Sequence, residues 1–210
     1  MTQSTKSPFY IIQDFISPLM CEEIIDQVSF TVPDTDAKGN PIACIRQEPE
    51  YEIFLYDRLQ KHIADITKHY DITYKATTEI LFHWYDIGAK QAPQCENGQF
   101  LNNKWVKVRD RDITCILMLS DFNDGSIQPF DDEYEVYGGK LEFPQHRFSF
   151  QAQRGTLIAF PSEPHFINAI TSILAGGLYL AKFHIAAQTP FLYDPKKFPG
   201  DYTTWLKEFV

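Results

Sequence analysis

Length, composition and charge already exclude several classes of protein. The chain has 210 residues, enough for one domain with a substantial apolar core. It is 44% hydrophobic and 22% charged, as ordinary globular proteins are, and no apolar run is long enough to cross a bilayer. The net charge of -9 disfavours nucleic acid and membrane surfaces as partners, since both need a basic face.

The N-terminal segment predicts an intracellular protein. Residues 1–7 are polar and lack the apolar stretch of a secretory signal. We therefore expect the protein in the cytoplasm, or in the host cytoplasm if it is viral.

The first elements are a short strand and two amphipathic helices. Residues 9–12 form the predicted strand, and Ser17 then caps a helix with Pro18 at its first position. A Pro- and Gly-rich loop follows, around a short strand at 42–45. A second helix is predicted over 50–70, with an apolar stripe formed by Leu55, Leu59, Ile63 and Ile66.

The rest of the chain has the pattern of strands. Predicted strands, separated by Gly, Pro, Asp and Asn, cover 79–85, 113–119, 139–143, 148–151, 156–160, 165–170 and 177–185. Strands that follow helices, rather than alternating with them, favour a mainly β domain with flanking helices, a double-stranded β-helix or jelly roll. We expect one domain over 1–210, with helical support at 1–75, the jelly-roll core at 76–187 and a tail at 188–210.

The C-terminal tail is rich in aromatic residues. Such a tail is expected to pack on its own domain, on a protein partner or on a second copy of the chain in a homo-oligomer. Its large apolar side chains are Tyr193, Phe198, Tyr202, Trp205, Leu206 and Phe209.

Two distant segments have the spacing of an iron site. Non-haem iron oxygenases hold Fe(II) with two histidines and one carboxylate, and a His-x-Asp pair supplies two of these ligands. Here Gln94-Cys95-Glu96 stands where His-x-Asp is expected, and His165 follows a second apolar strand. The predicted metal position therefore comprises His165, Glu96 and Gln94.

Further segments in the same order extend the pattern from about residue 9 to residue 187. They are Phe15-Ile16-Ser17-Pro18, Tyr85-Asp86-Ile87-Gly88, Arg111-Asp112-Ile113-Thr114, Gly138-Gly139-Lys140-Leu141 and Arg154-Gly155-Thr156-Leu157. Together they resemble the 2-oxoglutarate and Fe(II)-dependent dioxygenases of the prolyl-hydroxylase type, including small phage-encoded members. The resemblance implies a jelly roll, with Fe(II) and 2-oxoglutarate as cofactors.

The same resemblance suggests how the co-substrate would be held. Tyr85 stands where a tyrosine of that family contacts 2-oxoglutarate. The usual cation after the distant histidine is replaced by Leu174-Ala175-Gly176-Gly177, so Lys182 is the candidate for the second contact. A 2-oxoglutarate carboxylate buried without a cation would be strongly disfavoured.

Each candidate also has a plainer interpretation. Glu96 could be a solvated loop acid, Gln94 a polar filler of a vacated metal pocket, and Tyr85 a core residue. Lys182 could be a solvated strand lysine. His83 and His184 are interpreted as core histidines with satisfied hydrogen bonds, and the acidic stretch 121–135 as a surface loop.

Two functions follow from this pattern. In the first, the jelly roll has lost reactive iron and acts, as a pseudoenzyme, as a binding or structural module, within a larger assembly such as a virion. In the second, it is a working hydroxylase that uses Fe(II) and 2-oxoglutarate to oxidise a C–H bond of a protein or small molecule. Loss of the first histidine favours the first function.

Overall fold

The computed structural model describes residues 7–28, 35–37, 39–125 and 134–188. The predicted aromatic tail lies outside these residues, as does the middle of the acidic stretch 121–135. The expected contact of that tail with a partner therefore stays a prediction.

In the described ranges the chain forms three α-helices and sixteen strands, with two short 3-10 helices at Pro144–His146 and Pro164–Phe166. The first half contains β1 (Tyr10–Ile12), α1 (Pro18–Gln27), β2 (Cys44–Arg46), α2 (Pro49–Gln60), α3 (Ile63–Tyr70), β3 (Tyr74–Thr77), β4 (Leu81–Tyr85), β5 (Gln91–Gln94), β6 (Gly98–Leu101) and β7 (Lys104–Lys107). The second half contains β8 (Ile113–Met118), β9 (Asp121–Phe122), β10 (Glu135–Gly138), β11 (Leu141–Phe143), β12 (Phe148–Phe150), β13 (Leu157–Pro161), β14 (Asn168–Ile170), β15 (Ile173–Gly176) and β16 (Leu178–Ala187).

Two main sheets form the predicted jelly roll. The larger has seven strands in the order β1-β13-β8-β16-β4-β2, with β3 also paired to β16. The smaller has four strands in the order β12-β11-β14-β5. A three-stranded sheet (β15-β10-β9) and the β6–β7 hairpin complete the arrangement. The mainly β fold with flanking helices is confirmed.

One apolar core lies between the helices and the outer face of the seven-stranded sheet. The helices contribute Ile24, Leu55, Leu59 and Ile66, all fully buried. The sheet contributes alternate residues of its central strands, among them Cys115, Leu117, Ala159, Ala181 and Phe183. Alternation along a strand sends these side chains to one face, so the helices cover that face alone.

A second apolar core fills the space between the seven-stranded and four-stranded sheets. The larger sheet supplies the other alternate residues, including Ile116, Met118, Ile158, Phe160, Leu178 and Leu180. The smaller sheet supplies Leu141, Phe143, Phe150 and Ile170. A side chain that shares this face with Leu178 and Leu180 therefore points into the jelly roll.

The helical region differs from the prediction in one respect. The first helix begins as predicted, because the Ser17 hydroxyl accepts a hydrogen bond from the Met20 amide at 3.3 Å. The single helix predicted over 50–70 is wrong, since it is divided into α2 and α3. At the break, the amides of Lys61 and His62 bond to carbonyls three residues back, which tightens the turn and ends α2. No helix of the described ranges is both long and apolar enough to cross a bilayer.

The strand predictions were incomplete at the ends of the sheets. Seven short strands were not predicted: β3, β5, β6, β7, β9, β10 and β15. The strand predicted over 165–170 is also too long. Its first residues form the 3-10 helix Pro164–Phe166, so His165 lies in a turn before β14.

Candidate functional site at the buried Glu96

Glu96 is a buried carboxylate in the bend between β5 and β6. Only 2% of the residue is exposed. The neighbouring Asn97 fixes this bend, because its amide donates to the Ser162 carbonyl at 3.1 Å and its carbonyl accepts from the Val108 and Arg109 amides. The interpretation of Glu96 as a solvated loop acid is wrong.

Three protein groups surround the Glu96 carboxylate. The Lys182 ammonium donates to Oε1 at 2.5 Å, and the side-chain amide of Gln94 donates to the same oxygen at 2.9 Å. The His184 Nε2 atom lies 3.5 Å from the other oxygen, Oε2. We call Glu96, Lys182, His184, Gln94 and the adjacent His83 the Glu96 cluster.

The alternation of β16 explains why Lys182 and His184 reach this carboxylate. Both share a strand face with Leu178 and Leu180, whose side chains pack inside the jelly roll. Only 8% of Lys182 and 4% of His184 is exposed. The interpretation of Lys182 as a solvated strand lysine is therefore wrong.

His83 joins the cluster from the neighbouring strand. It pairs with Leu180 in the register of β4 and β16, so it lies diagonally across from Lys182 on the inner face. Neither of its ring nitrogens has a hydrogen-bond partner within the described ranges, and the same holds for His184 Nε2. His184 is partly satisfied, because its Nδ1 atom lies 3.5 Å from the Thr78 hydroxyl oxygen. The interpretation as a core histidine with satisfied hydrogen bonds is therefore wrong for His83, both of whose ring nitrogens lack a partner in the described part of the chain.

The electrostatics of the cluster follow from its burial and its one ion pair. Burial by itself raises the pKa of Glu96, but the Lys182 charge and the nearby His184 together hold that pKa well below its ordinary value. Burial lowers the pKa of His83 to about 3, and the Lys182 charge acts in the same direction. Burial also lowers the pKa of His184 to about 4, against the opposing effect of Glu96. At neutral pH the Glu96 carboxylate is therefore ionised and both imidazoles are neutral.

Tyr85, the predicted contact for 2-oxoglutarate, belongs to a separate hydrogen-bonded chain. Its hydroxyl donates to the Gln91 side-chain oxygen at 3.2 Å, and Gln91 donates in turn to Asn168 at 3.1 Å. Only 3% of Tyr85 is exposed, and its side chain is part of the inner core. Burial raises the pKa of its phenol, so this hydroxyl stays protonated.

His165, the predicted distant ligand, has a different carboxylate neighbour. Its Nδ1 atom lies 3.4 Å from Oε1 of the buried Glu163, and its backbone carbonyl is bonded to the His146 ring. Within the described ranges, the polar contacts of Glu96 are with Gln94, Lys182 and His184, and do not include His165. The same ranges contain no group of three His, Cys, Asp or Glu side chains arranged to hold a metal ion.

Of the residues singled out in the sequence, Glu96, Gln94 and Lys182 lie together. His83 and His184, which the sequence predicted only as core histidines, lie beside them. A signal for them existed in β16, where Leu178, Leu180, Lys182 and His184 occupy alternate positions. Two polar residues that continue an apolar inner face are the pattern of a buried polar site. To interpret this pattern, one must know which face of the strand points inward, and the sequence alone does not give that.

Comparison with known proteins agrees with the fold. The sequence matches no protein-family model and no curated protein. Among solved structures, it is similar to the viral collagen prolyl hydroxylase of Paramecium bursaria Chlorella virus-1, in complex with 2-oxoglutarate. The TM-score is 0.61 at 18% identity, over 87% of this chain and 97% of that one.

Two further prolyl hydroxylase structures have slightly lower TM-scores. A prolyl hydroxylase of Trichoplax adhaerens, bound to a peptide of the hypoxia inducible factor, has a TM-score of 0.59 at 14% identity, over 88% of this chain and 85% of that one. A prolyl-4-hydroxylase of Pseudomonas putida has a TM-score of 0.57 at 14% identity, over 87% and 94% of the two chains. This chain therefore has the jelly-roll fold of the prolyl hydroxylases.

Proposed function

We propose that this protein uses the 2-oxoglutarate dioxygenase fold as a binding or structural module and does not carry out iron-dependent oxidation. The observation that supports this proposal is the ion pair between Lys182 and Glu96, at 2.5 Å in the interior of the jelly roll. It neutralises, within the chain, the carboxylate that an iron site would need.

The donor groups do not fit Fe(II). Iron of this kind is held by two imidazoles and a carboxylate. Here Oε1 of Glu96 already accepts hydrogen bonds from Lys182 and Gln94, so Gln94 directs its amide N–H, and not its oxygen, toward the carboxylate. A divalent ion placed against this oxygen would also lie beside the ammonium and be repelled.

The groups expected to hold 2-oxoglutarate are engaged as well. Lys182 is bonded to Glu96, and the Tyr85 hydroxyl donates to Gln91. A carboxylate of 2-oxoglutarate would have to compete with Glu96 for the same ammonium. If it succeeded, Glu96 would be left buried and unpaired, which is strongly unfavourable. We therefore expect weak binding of 2-oxoglutarate or none.

Anaerobic calorimetry with Fe(II) and with 2-oxoglutarate tests the proposal, together with an assay for succinate in air. We expect no stoichiometric binding of iron and no succinate above the level of a boiled sample. Stoichiometric iron binding with succinate production would establish a working hydroxylase instead.

The Gln94→His variant distinguishes two obstacles to iron binding: the missing imidazole at position 94 and the ion pair between Lys182 and Glu96. If the missing imidazole were the sole defect, this variant would gain iron binding, whereas we expect none because Lys182 still occupies the carboxylate. Gln91→His, a substitution on the same strand, is the matched control for an added imidazole. Iron binding by Gln94→His and not by Gln91→His would show that the ion pair is no barrier.

The structural role is proposed to include assembly with other chains, as in a virion. The aromatic tail described above is the segment expected to make these contacts. Light scattering of the full chain and of its Trp205→Ala variant tests this expectation, and a monomer in both cases would contradict self-assembly.

A further inference from the structure

Glu96 and His184 approach each other through the carboxylate oxygen that Lys182 does not bind. We propose that Lys182 is the resident cation of this pocket, and that it closes a divalent-cation site whose protein ligands are Glu96, His184 and Gln94. The inference rests on the proposed function, since it starts from a pocket that the natural chain keeps free of metal.

The buried charge of Glu96 needs compensation. Only 2% of Glu96 is exposed, and a carboxylate buried to this extent needs a cation or a set of hydrogen bonds. Among the lysines and arginines in the described part of the chain, only Lys182 forms an ion pair with Glu96. Lys182 is itself buried, with 8% of the residue exposed. It therefore takes the electrostatic place of a metal ion.

His184, Glu96 and Gln94 supply the ligands of the proposed site. His184 Nε2 lies 3.5 Å from Oε2 of Glu96 and has no hydrogen-bond partner in the described ranges. Imidazole nitrogen and carboxylate oxygen are the usual non-sulfur ligands of Zn²⁺, and water completes many such sites. Gln94 is 2.9 Å from the other carboxylate oxygen, and a rotation of its terminal amide would present its oxygen as a third ligand.

The proposed site lies inside the jelly roll. His184 lies on β16, two residues from Lys182, and both point into the jelly roll. The imidazole of the proposed site is therefore not His165, which belongs to the turn before β14 and lies beside Glu163. The proposed site therefore shares Glu96 with the metal position predicted from the sequence, but takes its imidazole from β16.

The Lys182 ammonium and a metal ion compete for this pocket. Both need the negative charge of Glu96, and two cations this close in a buried pocket repel each other. Removal of the Lys182 charge, with the length of the side chain preserved, should open the site. Methionine is the nearest neutral replacement, and arginine is the matched control that keeps the charge.

The test measures Zn²⁺ by calorimetry and Co²⁺ by its visible absorption. We expect Lys182→Met to bind one equivalent of either ion and to gain thermal stability from it, while the natural chain and Lys182→Arg bind none. In the Lys182→Met background, Glu96→Gln and His184→Phe should each weaken Zn²⁺ binding at least tenfold.

Several results would overturn the proposal. One is a folded Lys182→Met chain that binds neither ion. Another is Zn²⁺ binding by the natural chain that Glu96→Gln abolishes, since Lys182 would then not close the site. If Lys182→Met folds only poorly, refolding in Zn²⁺ should restore its circular dichroism, and failure to do so counts against the site.

The outcome can be separated from that of the proposed function. Oxidation is judged on the natural chain with Fe(II) and 2-oxoglutarate, whereas the closed site is judged on Lys182→Met with Zn²⁺ or Co²⁺. A natural chain that makes succinate would refute the proposed function even if Lys182→Met gained a metal. A natural chain without activity would leave that function intact even if Lys182→Met gained none.

Discussion

The two faces of β16 are built from the same strand and have opposite compositions. Toward the helices the strand presents Ala181, Phe183 and Ile185, which are fully buried in the outer core. Toward the interior of the jelly roll, the neighbouring positions are Lys182 and His184. The outer face gains stability from apolar contact, whereas the inner face buries groups that need partners.

This difference separates structural residues from candidate functional ones. A polar cluster in the interior reduces stability unless each charge is paired, so its presence calls for an explanation other than stability. Among the described residues, the Glu96 cluster has one paired carboxylate, and neither ring nitrogen of His83 nor the Nε2 atom of His184 has a hydrogen-bond partner. The following predictions test this contrast between the faces, from the largest effect to the smallest.

Loss of the Lys182 charge should have the largest effect on stability. In the absence of added metal, Lys182→Met leaves Glu96 buried and unpaired, and should lower the free energy of unfolding by about 3–5 kcal/mol. Urea denaturation at pH 7 measures this loss in the free energy of unfolding. The double variant Lys182→Met/Glu96→Gln should lose much less, and strictly additive losses would show that the two residues are not coupled.

Truncation on the outer face should have an effect of similar size for a different reason. Phe183→Ala removes a fully buried ring from the outer core and should reduce the free energy of unfolding by about 3–5 kcal/mol. This loss should not depend on pH between 5 and 7, because no charge is involved. A loss as small as that of a surface substitution would mean that the helices do not pack on this face.

Acidification should act on the inner face. The pKa values of His83 and His184 in the folded state, about 3 and about 4, lie below the ordinary value of 6.5. Below pH 6.5 the unfolded chain therefore binds more protons than the folded chain, and stability falls as the pH falls. From pH 7 to pH 5, each histidine should remove about 2 kcal/mol from the free energy of unfolding. Urea denaturation at the two pH values measures the sum.

Glu96 does not alter this pH window. Its pKa is held low in the folded protein, so its own contribution is lost only at more acidic pH. Stability that is constant from pH 7 to pH 5 would contradict the burial of neutral imidazoles.

Removal of the unpartnered imidazole should have the smallest effect, and the opposite sign. His83→Leu replaces two buried nitrogens, which have no hydrogen-bond partner among the described residues, with an apolar side chain, and should stabilise the protein by about 1–2 kcal/mol at pH 7. It should also remove the His83 share of the pH dependence. If this variant were less stable than the natural chain, the His83 ring would make a stabilising interaction, contrary to the prediction.

Much of the fold could be predicted because the central strands have strong patterns. The apolar segments around 113–119, 156–160 and 177–185 became β8, β13 and β16, which are adjacent in the larger sheet. The strand β5 was missed because Gln91-Ala92-Pro93-Gln94 has no apolar alternation. It is held in place by backbone pairing with β14, and such pairing has no local signature in the sequence.

The β6–β7 hairpin was missed although it had a local signal. Its turn residues Asn102 and Asn103 have positive φ angles of 50° and 61°, a conformation that asparagine tolerates better than most residues. The break between α2 and α3 had no comparable signal. The apolar stripe of Leu55, Leu59 and Ile66 continues across it, and all three residues are buried against the sheet.

The amino-acid sequence by itself determined the central strands of the larger sheet, the apolar faces of the helices and the amide of Gln94 at the position of a histidine. Only the tertiary structure decided that Lys182 would neutralise Glu96, which is 86 residues away in the chain. The reason is physical. Local patterns depend on alternation within a strand, whereas a contact between distant residues depends on sheet register and on which face is buried.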